Sequence, residues 1–117
     1  MGSMSTAERR RHVRVKPTAE LPARVALGVD SVLREIVEVH DVSVGGLLLG
    51  SKQLAAMASG SRVTVEVMLG PFGDHRVEVE IRWAKAEAVG VQLVDPASEA
   101  AQAIRKYVAE HLERGRT

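Results

Sequence analysis

The chain has 117 residues, of which 45% are hydrophobic, so it can form the core of one modest domain but not of two ordinary ones. Its 16 lysine and arginine residues nearly balance 15 acidic residues, and a formal net charge of +1 argues against binding nucleic acid or a membrane through bulk charge. Cysteine is absent, which excludes disulfides, thiolate metal ligands and thiol nucleophiles. Without a signal peptide or an apolar run near the roughly 20 residues that span a bilayer, we expect a cytoplasmic protein.

The N-terminal segment is basic and has little apolar content. Met1-Gly2-Ser3 ahead of a second methionine is typical of a cloning scar, although the same residues through Thr6 also match an N-myristoylation pattern. The basic residues that follow are Arg9, Arg10, Arg11, Arg14 and Lys16, against the single acid Glu8. A segment of this composition cannot bury itself. We therefore expect a flexible arm over residues 1–16 and one folded domain over residues 17–117.

Alternating apolar residues predict short β-strands along most of the chain. The predicted strands cover residues 21–29, 37–41, 47–49, 63–69, 77–83 and 89–93. The two longest alternations form a hairpin across the break at Gly70–Asp74, and the connection over residues 51–61 has room for one helical turn at residues 54–57. Strands without helices between them cannot be parallel, because parallel crossovers need a dozen or more residues.

The apolar period changes from that of a strand to that of a helix after Asp95-Pro96. The predicted helical stripe consists of Ala100, Ala103, Ile104, Tyr107, Val108, His111 and Leu112. We expect Pro96 in the first turn of this helix and Gly115 just past its end. The predicted fold is thus dominated by β-structure, with a six-stranded antiparallel barrel, which removes exposed sheet edges, and a C-terminal α-helix.

A pair of arginines spaced as RxxxR lies in the arm, in Arg10-Arg11-His12-Val13-Arg14, with Arg9 directly before it. The arginine fork offers parallel N–H donors that match a phosphate or the O6/N7 edge of guanine, which the point charge of lysine does not. By itself the run is also consistent with a solvated basic arm.

A second polar motif, Asp41-Val42-Ser43-Val44-Gly45-Gly46, follows about thirty residues later. Asp41 and Ser43 share parity, so both side chains point to one face of the strand end. A carboxylate can accept from the N1–H and N2–H₂ donors of guanine, a hydroxyl can donate or accept, and glycine permits close approach of the backbone. A turn that ends the strand explains the same residues equally well.

The two motifs together, in this order and followed by an apolar strand, resemble those of the PilZ domain family. The resemblance extends from Glu8-Arg9-Arg10 through the second motif to the Val89–Leu93 strand and the terminal helix. It implies a six-stranded barrel that binds cyclic di-GMP, with Arg10 and Arg14 matching the first motif and Asp41, Ser43 and Gly46 the second. In this family an arginine before RxxxR is associated with an intercalated ligand dimer. Arg9 occupies that position, so the resemblance predicts two ligands per chain.

Trp83 is the only tryptophan and lies near the end of a predicted strand, where members of the family can place an aromatic ring against the ligand. Its parity with Val77, Val79 and Ile81 instead puts it on the apolar face of that strand. A ligand role and a core role are therefore equally compatible with the sequence, and an outward Trp83 requires a β-bulge before it.

We interpret the chain as a cyclic di-GMP receptor or adaptor that orders its arm on binding and signals to an unidentified effector protein. The alternative is a basic arm that tethers the barrel to nucleic acid or to a protein without binding the dinucleotide. No enzyme is expected, because no nucleophile elbow surrounds Ser43. No metal or other cofactor is expected either, because His12, His40, His75 and His111 lack metal-ligand spacing.

Overall fold

A computed structural model describes residues 13–28 and 35–115. In this part of the chain the strands are β1 Arg14–Val15, β2 Arg24–Leu27, β3 Glu35–Ser43, β4 Gly46–Gly50, β5 Arg62–Met68, β6 Asp74–Lys85 and β7 Ala88–Leu93. The α-helices are α1 Lys52–Ala55 and α2 Glu99–Gly115, and a short 3-10 helix covers Gly70–Phe72.

Six of these strands close into an antiparallel barrel in the order β3-β2-β5-β6-β7-β4, because β4 pairs back with β3. The short strand β1 adds to β3, with Arg14 opposite Ser43 and Val15 opposite Val42. Arg14 and Val15, at the end of the predicted arm, therefore form a strand of the sheet, and Lys16 follows them directly. Arg9 and Arg10 lie outside the described residues. The predicted six-stranded antiparallel barrel is confirmed.

The alternating apolar residues of the strands fill the barrel. Val25, Val65, Val67, Val79 and Leu49 are fully buried, whereas the residues between them mostly face outward. This is the period-two pattern that a half-buried strand requires. Strand β2 is shorter than the strand predicted over residues 21–29, since only Arg24–Leu27 pair with neighbouring strands. Leu21 and Ala23 before it are buried too. The predicted end of this strand at Val29 lies outside the described residues.

Helix α2 buries most of the apolar stripe that the sequence predicts. Tyr107 is fully buried, and its hydroxyl donates to the Leu21 carbonyl oxygen at 2.6 Å. Burial raises the pKa of this phenol above its ordinary value, so it remains a neutral donor at physiological pH. The stripe ends earlier than predicted, because Leu112 is 40% exposed.

The predicted position of Pro96, in the first turn of the terminal helix, was wrong. Helix α2 begins at Glu99, because the hydroxyl of Ser98 accepts from the Ala101 amide at 3.1 Å and caps the helix. Pro96 lies in the turn before it, where Asp95 accepts from the Ala97 amide. At the other end Gly115 is the last helical residue, not the first residue beyond the helix.

The short helix α1 shows a similar displacement from its predicted position. It spans Lys52–Ala55 rather than residues 54–57, because the buried Ser51 hydroxyl accepts from the Leu54 amide at 3.1 Å and caps the turn.

Among residues 13–28 and 35–115, no helix combines the length and apolar content that crossing a bilayer requires.

Candidate functional site

A β-bulge in β3 turns Asp41 away from the core. Val39 pairs with Leu49 and Asp41 with the next residue back along β4, Leu48, so His40 is an extra residue in the ladder. Without this insertion Asp41 would continue the inward parity of Val39. With it, Val42 becomes the buried residue and Asp41 is only half-buried.

A second bulge, in β6, does the same for Trp83. Ile81 pairs with Val91 and Trp83 with Gly90, so Arg82 is the extra residue. Trp83 therefore leaves the apolar face on which Val79 and Ile81 lie and is 43% exposed. The bulge that an outward Trp83 requires is present, and the alternative of a core role is wrong.

The two bulges align in one row across four neighbouring strands. Asp41 lies opposite Leu48, Leu48 opposite Gly90, and Gly90 opposite Trp83. A parallel row runs beside it and consists of Arg14, Ser43, Gly46, Gln92 and Glu80. The predicted residues Arg14, Asp41, Ser43, Gly46 and Trp83 thus come together on one outer face of the barrel.

Glycines keep this face open between its polar residues. A Cβ at Gly90 would meet the indole ring of Trp83, so only glycine lets the ring lie over the strand. A Cβ at Gly46 would lie 2.8 Å from the Val91 carbonyl oxygen. Gly45 has φ +91°, which permits the tight turn between β3 and β4 and brings Ser43 close to the Gly46 carbonyl, at 3.4 Å.

Two charged groups of this face, those of Arg14 and Asp41, have free hydrogen-bonding capacity. Within the described part of the chain, neither Arg14 nor Asp41 has an ion pair or a side-chain hydrogen bond, and the Trp83 Nε1–H has no acceptor. A cation, a carboxylate, an indole and a hydroxyl therefore face solvent together. Such a set can bind a ligand that presents anionic oxygens, hydrogen-bond donors and a planar ring.

Two adjoining clefts follow these rows. The inner cleft, of about 100 Å³, is lined by Arg14, Asp41, Ser43, Gly46, Leu47, Leu48, Arg82, Trp83, Gly90 and Val91. The outer hollow, of about 770 Å³, shares Arg14, Ser43 and Gly46 with it and extends to Gln92 and Pro96. Ligand pockets usually measure about 300–1,000 Å³, so the inner cleft alone holds only a part of a ligand and the outer hollow has room for the rest.

Histidine and acidic side chains of the described residues form no metal site near this face. His40, beside Asp41, has its ring over Gly50 and its Nδ1 3.7 Å from Glu38. In residues 13–28 and 35–115, no three histidine or acidic side chains cluster as metal ligands.

Comparison of the sequence with models of protein families gives a match. The sequence profile of the PilZ domain matches residues 8–110. The chain belongs to the PilZ domain family. Comparison with curated proteins finds no significant sequence match.

Solved structures of low sequence identity share the fold of this PilZ domain. K. pneumonia MrkH in complex with c-di-GMP is 14% identical with a TM-score of 0.72, and the alignment covers 92% of this chain and 54% of MrkH, about half of that protein. The PilZ domain of YcgR from Escherichia coli with c-di-GMP is 16% identical with a TM-score of 0.66, covering 92% of this chain and 95% of that one. An uncharacterized Legionella protein is 13% identical with a TM-score of 0.62, covering 90% and 98%.

Sequence reasoning missed several residues of this face, including Leu48, Arg82, Gly90 and Gln92. These residues lie on β4, β6 and β7, and only the pairing of these strands shows that they lie beside the two motifs. A signal for Arg82 was present in the sequence, since an outward Trp83 requires an inserted residue just before it.

Proposed function

We propose that this PilZ domain is a receptor for cyclic di-GMP, which binds across the row from Arg14 to Trp83, orders the N-terminal arm and thereby creates a surface for an effector protein. The single observation that carries the proposal is the alignment of two bulges, which turns Asp41 and Trp83 outward on the same row. We assign binding and no catalytic step to this site.

The polar residues match the chemistry of a guanine dinucleotide. The Asp41 carboxylate accepts from the N1–H and N2–H₂ groups of one guanine, which adenine lacks in that arrangement. The backbone of Arg14 pairs opposite Ser43, and its guanidinium can donate to a phosphate or to guanine O6 and N7. Ser43 adds a hydroxyl, and Gly46 leaves room for the sugar-phosphate to approach the strand.

Trp83 supplies the apolar part of the binding energy. Its exposed indole lies over Gly90, and both residues line the inner cleft. Stacking of a base on such a ring is worth about 1–3 kcal/mol. We expect the guanine between Asp41 and Trp83 to fill the inner cleft and the phosphates to extend towards Arg14.

Arg9 and Arg10 complete the proposed site from outside the described residues. Both precede β1, which starts at Arg14 beside the second motif, so the chain enters the barrel at the site itself. We propose that the two arginines meet the phosphates and that the arm folds over the ligand, with Arg9 allowing an intercalated dimer. Part of the binding energy is then consumed in ordering the arm.

Isothermal titration calorimetry of cyclic di-GMP into the full chain tests the binding proposal, with cyclic di-AMP and GTP as control ligands. We expect selective heat for cyclic di-GMP that disappears in the Arg10→Ala, Arg14→Ala double variant. Absence of heat with folded wild-type protein would overturn the proposal.

Asp41→Ala separates a dinucleotide receptor from a basic tether for nucleic acid. The receptor loses affinity for cyclic di-GMP in this variant, whereas a tether keeps a salt-sensitive affinity for mixed-sequence DNA that depends on arm charge alone. The matched control is Asp74→Ala. Asp74 is exposed and begins β6, at the end of that strand away from Trp83. Equal loss in the two variants would argue against a specific role for Asp41.

Limited trypsin digestion tests the ordering of the arm. The expected cleavage sites are the consecutive arginines at residues 9–11. Cyclic di-GMP should slow cleavage there, and cyclic di-AMP should not. Equal rates with and without ligand, at saturating concentration, would contradict arm ordering while leaving binding intact.

A further inference from the structure

Arg82, the residue that the β6 bulge inserts, lines the inner cleft beside Trp83. Of the described residues around this cleft, only Arg14 and Arg82 are cationic, and they come from opposite sides of it, Arg14 from β1 and Arg82 from β6. Arg82 therefore lines the site although it belongs to neither sequence motif.

In the free protein Arg82 is held by Glu80. Its Nη1 donates to Glu80 Oε2 at 2.9 Å, and the side chains are 56% and 24% exposed. Glu80 has a second cationic partner, since Arg62 Nε lies 3.6 Å from its other carboxylate oxygen. Glu80 can thus release Arg82 and retain an ion pair with Arg62.

We propose that Arg82 is a phosphate-binding residue of this site, which exchanges Glu80 for a ligand phosphate while Glu80 retains Arg62. Exposed ion pairs contribute little to stability, so breaking one costs little. A ligand phosphate in the partly enclosed cleft can accept from Arg82 a charge-assisted hydrogen bond of the same kind as the one that Glu80 gives up. This inference rests on the proposed function, because it takes the phosphates of cyclic di-GMP as the anion.

Substitution of the two arginines that share Glu80 tests the assignment, with cyclic di-GMP titrated calorimetrically into the full chain. Arg82→Gln should weaken binding roughly tenfold, the loss expected for one charge-assisted hydrogen bond. Arg62→Gln is the matched control, because it removes the same charge from the same carboxylate outside the inner cleft. Its effect is limited to a firmer hold of Glu80 on Arg82 and should be smaller than that of Arg82→Gln. Thermal melting of both variants verifies that they are folded.

The exchange itself is tested with Glu80→Gln, which releases Arg82. This substitution should tighten binding in the wild-type background and have a much smaller effect in the Arg82→Gln background, since the released guanidinium is then missing. Equal gains in the two backgrounds would overturn the exchange.

The outcomes for the two levels of the proposal are distinct. No heat with the wild-type chain would overturn the proposed function and the role of Arg82 together. Wild-type binding with equal affinities for Arg82→Gln and Arg62→Gln would overturn the role of Arg82 alone.

Discussion

At the residue scale, the missing side chain of Gly90 determines where the indole of Trp83 lies. A Cβ at this position would collide with the five-membered ring, so Gly90→Ala should displace the indole from the row that it shares with Asp41. We expect cyclic di-GMP affinity to fall by about tenfold, because stacking is worth about 1–3 kcal/mol. Trp83 is the only tryptophan, so its fluorescence emission in the free protein should shift as well.

The control for this prediction is Gly115→Ala, at the end of α2, where an added Cβ meets nothing within 4 Å. It should leave both fluorescence and affinity unchanged. Unaltered emission and wild-type affinity in Gly90→Ala would show that the indole position does not depend on this glycine.

The Tyr107 hydroxyl gives a second prediction, for stability against pH. Tyr107→Phe should lower the free energy of unfolding by about 1 kcal/mol at neutral pH, since it removes one hydrogen bond to Leu21. Because burial raises the pKa of Tyr107 in the folded state, the unfolded chain loses this proton first. The contribution is therefore complete below about pH 10, the ordinary value for tyrosine, and is lost as pH rises through the folded-state pKa.

Denaturant unfolding of the wild type and of Tyr107→Phe at neutral and alkaline pH measures this difference. The gap between the two proteins should narrow above about pH 10. Since Tyr107 is the only tyrosine, the ultraviolet absorbance of its phenolate reports the same titration directly. A gap that widens with pH would contradict the assigned direction of the pKa.

At the scale of elements, β1 connects the arm to the barrel through one buried side chain. Val15 is 6% exposed and lies opposite Val42, and this pairing holds Arg14 opposite Ser43. Val15→Ala should destabilise the fold by about 2 kcal/mol through lost burial and a cavity, and it should weaken cyclic di-GMP binding because Arg14 is less well positioned.

Val13→Ala is the comparison for this substitution, since Val13 is 42% exposed and precedes the strand. Its unfolding midpoint in denaturant should match that of the wild type. If Val15→Ala loses stability but keeps full affinity, the pairing of β1 with β3 does not position Arg14.

The strands themselves were predictable because apolar alternation is a direct consequence of burying one face of a sheet. The bulges were not. Counting in steps of two places Asp41 with Val39 and Trp83 with Ile81, and only the pairing of neighbouring strands reveals that His40 and Arg82 are extra residues. The sequence motifs therefore pointed to residues that the structure brings to one face, but only the strand pairing shows that the bulge which turns Trp83 outward is present.

Helix boundaries show the same limit of local patterns. Pro96 is suited to a first helical turn, but Ser98 offers a hydroxyl cap to the Ala101 amide and starts the helix there. The capping serine of α1 likewise moves that turn ahead of its predicted position. Both choices depend on hydrogen bonds that compete within a few residues, whereas the apolar stripe of α2 depends on burial over several turns and was predicted well.

At the scale of the whole molecule, the segment between β1 and β2 joins the proposed site to helix α2. The His111 ring bonds the Lys16 carbonyl, Arg114 lies 3.7 Å from Glu20, and Tyr107 donates to Leu21. These contacts begin two residues after Arg14, so the residues that follow the site along the chain contact the helix. We propose the arm and α2 together as the surface that a ligand-dependent effector contacts.

The charge of the whole molecule bears on how many ligands it takes. The free chain has a formal net charge of +1, and each cyclic di-GMP brings two phosphate charges, so a second ligand must enter a complex that is already negative. In the proposed complex Arg9 offsets that repulsion locally, which gives a physical reason for it to favour an intercalated dimer. We therefore expect Arg9→Ser to lower the stoichiometry from two ligands to one while leaving the first binding event largely intact.

Native mass spectrometry of the wild type and of Arg9→Ser at increasing ligand concentration measures this directly. The matched control is Arg24→Ser, which removes one exposed charge from β2, outside both clefts. A wild-type complex that takes only one ligand, or an Arg9→Ser variant that still takes two, would contradict the role of Arg9. A reduction to one ligand in both variants would instead mean that net charge, and not the position of Arg9, limits the second binding event.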